Sequence, residues 1–424
     1  MKRIKYPNKK SWAKLLERPS IDTASLEKTV NAILQDVKSN GDDALRKYSK
    51  KFDGVQLNDL RFSKKEIAQA AKIIPAELKK AIVIAKGNIE KFHNAQSEQV
   101  KVIETTRGVS CWRRSVAIEK VGLYVPGGSA PLFSTVLMLG IPAMLAGCKE
   151  IVLCTPPSPG NEAILYTASL LGITKIYKAG GAQAIAAMAY GTETIPQVYK
   201  IFGPGNQYVT CAKQLVQKDG LAIDMPAGPS ELAVLADESC VPAFVASDLL
   251  SQAEHGKDSQ VILVSDNEKV IVSIIREIDK QLQGLPRKKI AALALANSKA
   301  ILVKNKNDAM ELLNAYAPEH LILACKDAEA LAEKVINAGS VFIGNYTPES
   351  CGDYASGTNH TLPTSGYARS YSGVSLDSFI KKITFQKISK QGLKEIGPAV
   401  EVMAASEGLQ AHKNAVTIRI KGIQ

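Results

Sequence analysis

From Val116 onward short apolar runs rich in β-branched residues, VAIEKVGLYVP, EIVLCTPP, KIYKAG, KIFGPG, LAVLAD and VILVSD, alternate with stretches of helical periodicity, and AILVKN, HLILAC and SVFIGN prolong the pattern. This alternation constrains the fold more than any other feature of the chain. A strand buried on both faces reads as an unbroken apolar run, and its parallel neighbour is reached only through a crossover, usually a helix. The expected class is therefore α/β, a mainly parallel sheet covered by helices. Residues 1 to about 115 read as helical instead, because SLEKTVNAILQDVKSNGDDALRKYSKKF and SKKEIAQAAKIIPAELKKAIVIAKGNIEKFHNAQ repeat apolar residues at three- and four-residue spacing. His93, on the second of these, is expected to be a partly exposed helix residue. Neither a tandem repeat nor a low-complexity linker marks a domain edge.

With 424 residues, 46% hydrophobic and 22% charged, the chain suits a soluble protein of two or three domains. One stretch challenges that: no charge occurs between Lys120 and Lys149, and APLFSTVLMLGIPAMLAG (Ala130 to Gly147) is about as long as a membrane span. Gly140, Pro142 and Gly147 interrupt it and KEIVLCTPP follows directly, so it reads as a helix followed by a buried strand, and no membrane association is expected. The N-terminal MKRIKYPNKKSWAKLLERPS lacks an apolar centre and a small-residue cleavage site, which makes the cytoplasm the expected location. Seven cysteines, odd in number and without redox or zinc-ribbon spacing, read as reduced thiols. The formal charge of +12 is spread over lysines mixed with acidic residues, and aromatics are only 6%, so an anionic cofactor and a solvated surface explain it better than nucleic acid does.

Glycine-rich turns follow three of the apolar runs: VPGGSAP at Val125, KAGGAQAIAAMAYG at Lys178 and FGPGNQYV at Phe202. Glycine lets backbone amides and a helix N-terminus approach a pyrophosphate closely. None is a GxGxxG, and each alone is also an ordinary strand-to-helix turn. Three within one αβ stretch point to a nucleotide cleft at strand ends.

The five histidines, His93, His255, His320, His360 and His412, are scarce enough to follow one by one. In SDLLSQAEHG, Gln252 and His255 stand three apart on a helical stretch and project from one face, so an amide oxygen and an imidazole nitrogen can share a divalent ion. Further ligands must come from afar: Asp353 and His360 in PESCGDYASGTNHTLPT, Glu407 and His412 in SEGLQAHKNAV. Such an oxygen and nitrogen set suits zinc or manganese. Each of these residues taken singly is equally a solvated loop or helix residue; four histidines in the last 170 residues, each near acidic or amide side chains, argue jointly for a site. In YAPEHLIL, Pro318 is expected to force Ala317 into an extended conformation, with Glu319 and His320 on a turn leading into the strand LILAC. Adjacent side chains there diverge, so the pair suits proton transfer better than one metal: histidine as base to a hydroxyl, glutamate as activator of water.

The stretch IDMPAGPSELAVLADESCVPAFVASDLLSQAEHG (Ile223 to Gly256), together with GLYVPGG, FGPGNQYV, YAPEHL, GDYASGTNHTLPTSGYARSYSGVS and SEGLQAHKNAV in the same order, resembles the histidinol dehydrogenase family from about residue 25 to the end. The resemblance implies NAD-dependent oxidation of L-histidinol through L-histidinal to L-histidine, with one zinc ion (Zn2+) per active site and manganese able to replace it. It implies zinc ligands Gln252, His255, Asp353 and His412, and an acid/base pair Glu319 and His320. It further implies substrate contacts from Ser230, His360, Glu407 and Tyr354 beside the zinc ligands and His320, and NAD contacts from Tyr124, Gln183 and Asn206. The implied fold is a pair of incomplete Rossmann-type domains in an aldehyde dehydrogenase-like arrangement, forming a homodimer with shared active sites. On that arrangement residues 1–24 are an N-terminal helical segment, 25–120 with 231–375 a catalytic α/β domain carrying most zinc ligands, 121–230 an NAD-binding α/β domain, and 376–424 a C-terminal segment exchanged between subunits. Competing readings are a zinc- and NAD-dependent dehydrogenase of another amino alcohol or polyol, and a metal-dependent hydrolase in which Glu319 activates water. A thiohemiacetal route through Cys351 is the competing mechanism.

Overall fold

The computed structural model describes residues 1–18, 23–127 and 132–423. Fourteen strands are found among them: β1 (Lys2–Lys5), β2 (Val102–Thr106), β3 (Val109–Ala117), β4 (Lys120–Tyr124), β5 (Glu150–Thr155), β6 (Lys175–Lys178), β7 (Lys200–Phe202), β8 (Ala222–Ile223), β9 (Glu231–Ala236), β10 (Gln260–Ser265), β11 (Lys299–Leu302), β12 (His320–Ala324), β13 (Ser340–Ile343) and β14 (Ile380–Ile388). They form a five-stranded sheet in the order β6-β5-β4-β7-β8, a six-stranded sheet in the order β1-β11-β10-β9-β12-β13, and a three-stranded sheet β14-β3-β2. The two larger sheets are parallel throughout. The α/β expectation and its paired parallel sheets therefore hold.

Strand periodicity accounts for the layers. Along β9, Leu232, Val234 and Ala236 enter one core while Ala233 and Leu235 enter the other, and Val261 and Leu263 against Ile262 and Val264 repeat this on β10. Both faces are covered, so these strands show no polar alternation. The uncharged stretch folds as the helix Phe133–Ala146, buried along Ser134–Ala143 between β4 and the helix Ala76–Asn94. Among the described residues no helix is long and apolar enough to cross a membrane.

Three local expectations are corrected. Residues 102–115, read as helical, lie in the hairpin β2–β3, turned at Gly108 (φ 79°) and closed by β14, whose Ile380 to Ile388 pair with Ala117 to Val109. The N-terminal segment begins not as helix but as β1, a four-residue edge strand beside β11 whose lysines blunt the free edge. His93 is fully buried, since it continues the stripe Ile82, Ala85 and Ile89; its Nδ1 faces Gln96 Oε1 at 3.2 Å. The helices of residues 23–94 pack on the five-stranded sheet. Val30, Leu34, Val37 and Leu45 of the helix Thr23–Tyr48 share a core with Tyr124, Val152 and Ile185, each buried aliphatic contributing about 1.5–3 kcal/mol. With the helices Lys64–Ile73 and Ala76–Asn94 sharing the core on the opposite face, that packing covers both faces of the sheet, which the helices' periodicity does not announce.

In the five-stranded sheet the order reverses at β4, so a crevice opens at its carboxyl end. The glycine turns after β4, β6 and β7 all lie at that edge, although residues 128–131 of the first fall outside the described residues. The loop after β7 meets the segments that enter β9 and β10, so the carboxyl edge of one sheet faces the amino edge of the other.

Candidate active site

Glu319 and His320 are positioned by main chain on every side. The helix Lys306–Tyr316 ends with Ala317 in the left-handed region (φ 53°), its N–H donating to Leu313 O at 2.9 Å. Ala317 is thus not extended as expected: Pro318 bars the right-handed helix, and a left-handed cap satisfies the helix's last carbonyls. Pro318 O then accepts from Gly339 N (3.0 Å) and Glu319 O from Ser340 N (2.9 Å). A Cβ on Gly339 would stand 2.5 Å from Glu319 O, so only glycine permits this approach. His320 opens β12, in register with Leu232 of β9 and Ser340 of β13. From β9, Glu231 reaches both members of the pair: its N–H donates to Glu319 Oε2 (2.8 Å) and its C=O faces His320 Nδ1 at 3.2 Å. In its neutral form the ring therefore keeps its proton on Nδ1, and Nε2 is the nitrogen that gains and loses a proton.

Opposite the pair lies the short helix Glu349–Tyr354. Glu349 and Asp353 stand four apart on its inner face, while Cys351 between them is exposed on the outer one. His320 Nδ1 is 3.6 Å from Glu349 Oε1 and 3.7 Å from Glu319 Oε2, and its Nε2 is 3.7 Å from Asp353 Oδ1. Burial alone would lower the His320 pKa, but the carboxylates of Glu349, Glu319 and Asp353 outweigh it and push it up to about 10. Burial raises Glu319 to about 7 and Glu349 to about 8, each held back by His320. Asp353 falls below its usual range because His320 overcomes its burial. Asp248, buried on the helix Pro242–Ala253 and felt by Glu349, rises to about 7 through burial.

This is an environment suited to a divalent cation. One ligand atom each from His320, Glu349 and Asp353 lies within 4.8 Å of the others. Gln252, one turn beyond Asp248, has its Oε1 buried without a hydrogen-bond partner, and Glu349 Oε2 and His320 Nε2 are likewise unpartnered. Orphaned buried acceptors are costly, which makes them informative when they sit beside other ligand types.

The residues expected from sequence fall into three places. Asp353, His255, His360 and His320 lie close enough to shift one another's ionisation; burial lowers His360, and partial desolvation lowers His255 although that residue keeps solvent contact, both despite the nearby Asp353. His360 is pinned between Asp353 O (2.9 Å from Nδ1) and Thr135 Oγ1 (3.2 Å from Nε2), and Tyr354 is half-exposed at the end of the Asp353 helix. A cleft of about 550 Å³ brings together Asn206, Ser230 and His255. Tyr124 ends β4 with its hydroxyl accepting from Gly181 N (3.0 Å), and Gln183, buried on the first turn of the helix Gly181–Tyr190, sits over the same glycine. Asn206 caps the helix Gln207–Lys218 through Tyr208 N and Val209 N. Behind it a buried Lys213–Asp224 pair grips Gly203 from both sides, Lys213 Nζ on its carbonyl (3.0 Å) and Asp224 Oδ2 on its N–H (2.8 Å). Glu407 and His412 form the third place. Both are exposed on the C-terminal helices, apart from the groups around His320.

The family profile described as histidinol dehydrogenase matches residues 16–420. The chain belongs to the histidinol dehydrogenase family. A histidinol dehydrogenase of Bacteroides thetaiotaomicron is 61% identical over 427 residues, covering 100% of both chains. The chloroplastic histidinol dehydrogenase of Arabidopsis thaliana is 53% identical over 416 residues, 97% of this chain and 89% of its own. A crystal structure of histidinol dehydrogenase from Elizabethkingia anophelis superposes with a TM-score of 0.97 at 56% identity, covering 100% of this chain and 98% of that one. As a histidinol dehydrogenase the protein is an oxidoreductase of histidine biosynthesis that oxidises histidinol. Glu349, Asp248 and Glu231 were not singled out from sequence. Glu349 had a usable signal, its four-residue spacing from Asp353; Glu231 had none, because it acts through its main chain.

Proposed function

We propose that the protein is a cytoplasmic, zinc- and NAD-dependent enzyme that oxidises L-histidinol through L-histidinal to L-histidine in two successive two-electron steps. The observation that carries this reading is the Glu319–His320 pair, fixed to Glu231 and facing the Glu349–Asp353 carboxylates. Gln252, His255 and Asp353 would hold the zinc together with His412, and Glu349 is a further carboxylate in reach of the same space. Tyr124, Gln183 and Asn206 would contact NAD, while Ser230, His360, Tyr354 and Glu407 would contact the substrate. When bound, NAD supplies a hydride acceptor and the cation a Lewis-acidic anchor for the substrate's nitrogens.

His320 takes the carbinol proton on Nε2 as hydride departs, and the surrounding carboxylates stabilise the imidazolium. Asp353 and Glu349, once they neutralise a divalent cation, hold that proton less tightly and let His320 act as a base. Glu319, whose Oε1 has no hydrogen-bond partner among the described residues, deprotonates the water that hydrates the aldehyde. His320 then takes a proton from the resulting diol as the second hydride leaves. Cys351 faces away from this chemistry, which disfavours a thiohemiacetal.

Exposed Glu407 and His412 support a homodimer in which each subunit completes its partner's site. NADH formed per histidinol consumed, measured before and after chelation, tests the whole reading. We expect a ratio close to two that collapses on chelation. A ratio close to one, or hydrolysis without NADH, would refute it.

A further inference from the structure

The catalytic pair depends on a residue that no local motif marks, Arg18 of the N-terminal segment. Its guanidinium binds the buried Glu231 carboxylate through two bonds, Nε to Oε1 and Nη2 to Oε2 (2.8 Å). The same Nη2 donates to Tyr316 O (2.8 Å) and approaches Ala317 O (3.4 Å), and the group stacks 4.2 Å from the centroid of the Tyr316 ring. One planar fork thus joins the two segments whose relative position matters most. Glu231 holds the side chains of Glu319 and His320 through its own N–H and C=O; Tyr316 and Ala317 are the carbonyls entering the turn on which Glu319 and His320 sit. The Glu231 carboxylate is further fixed by Ser365 N (2.8 Å), so the loop carrying the candidate substrate residue His360 is tied to the same anion.

We propose that Arg18 is a positioning residue for both oxidation steps, setting the distance between the Glu231 main chain and the Glu319–His320 turn. The inference rests on the reading of Glu319 and His320 as the proton-transfer pair. A guanidinium suits this task because five N–H donors in a fixed plane engage a carboxylate and a carbonyl together, which an ammonium point charge does not. Tyr316 adds rigidity from below: it is fully buried, and its hydroxyl donates to Gln260 Oε1 (2.9 Å).

The test compares Arg18→Ala, Arg18→Lys and an Arg18→Met/Glu231→Gln double variant with the parent enzyme, in both half-reactions, each protein being checked for thermal unfolding and zinc content. Displacement of catalytic groups by about an ångström costs on the order of 10²-fold in rate. We therefore expect kcat to fall by about that factor for histidinol and for histidinal, with little change in KM, because the pair acts in the transition state. Arg18→Lys should recover only part of the loss, and millimolar guanidinium should partly rescue Arg18→Ala. Should Arg18→Ala leave the Glu231 charge uncompensated and fail to fold, the double variant, which removes that charge, gives the same reading. A folded, zinc-loaded double variant with parental kcat, or an Arg18→Lys enzyme indistinguishable from the parent, overturns the proposal. His320→Ala serves as the control: if it retains activity, the assignment of the pair is at fault and not the role of Arg18.

Discussion

On the proposed roles, replacing Glu319 by glutamine should separate the two oxidations. The glutamine carbonyl can still accept the Glu231 N–H now bonded to Glu319 Oε2 at 2.8 Å, so the turn and the His320 contacts stay in place. Only the proton acceptor is lost. A positioned general base contributes about 10²–10⁴-fold, or ~3–5 kcal/mol at ~1.4 kcal/mol per factor of ten, and Glu319→Gln should reduce oxidation of supplied histidinal by that range. Oxidation of histidinol to the aldehyde should change by less than about tenfold, since His320 remains the base and Glu349 and Asp353 still face it. The pH profile supplies a second readout. Burial raises Glu319 to about 7, so the parent's histidinal rate should climb as pH rises through that value and the carboxyl loses its proton; the climb should vanish in the variant. Both rates are read from NADH absorbance under saturating NAD. Equal losses in the two half-reactions, or a pH limb that survives in Glu319→Gln, would refute the division of labour.

Gln252→Leu removes a candidate ligand and an orphaned buried oxygen together, so bound zinc should drop to background by atomic emission. The unfolding midpoint of the metal-free protein should hold or rise, because an unsatisfied buried acceptor costs about 1–3 kcal/mol. Mixing inactive His412→Asn and His320→Ala proteins under conditions that exchange subunits should restore activity, since one site of the mixed dimer is then intact; no recovery would argue against shared sites. In metal-stripped protein, Glu319 and Asp248 near 7 and Glu349 near 8 all lie above their unfolded values, so their stabilising contribution is complete at low pH and lost as pH rises through those values. His320, raised to about 10, acts in the same direction, so the chelated enzyme's unfolding midpoint should fall between about pH 5 and about pH 8.

Much of the candidate site was legible because its residues sit where local rules speak. Pro318 and the apolar run after it put Glu319 and His320 at the mouth of a strand, and the structure starts β12 at His320. Pro318 was over-read for Ala317, since the left-handed cap that closes the preceding helix depends on that helix's free carbonyls. His93 sat one turn after Ile89 on an apolar stripe, and the stripe prevailed over its polarity because Gln96 supplies a partner inside. β2 was missed next to helical sequence, since a half-exposed hairpin acquires its identity from β14, more than 260 residues downstream in the pairing Lys387–Ser110.

The sequence by itself determined the layered parallel architecture, through apolar runs too long for a one-sided strand, and the family, through several signature blocks in fixed order. Tertiary structure alone decided which main chain meets the Glu319–His320 pair: Glu231 and Glu319 are 88 residues apart and joined by one N–H. It also decided that Arg18 braces them from the far end of the chain and that the helices of residues 23–94 serve the five-stranded sheet. The physical reason is that periodicity reports how one segment is buried, whereas strand order and register are set by contacts between segments, whose free energy no single segment carries.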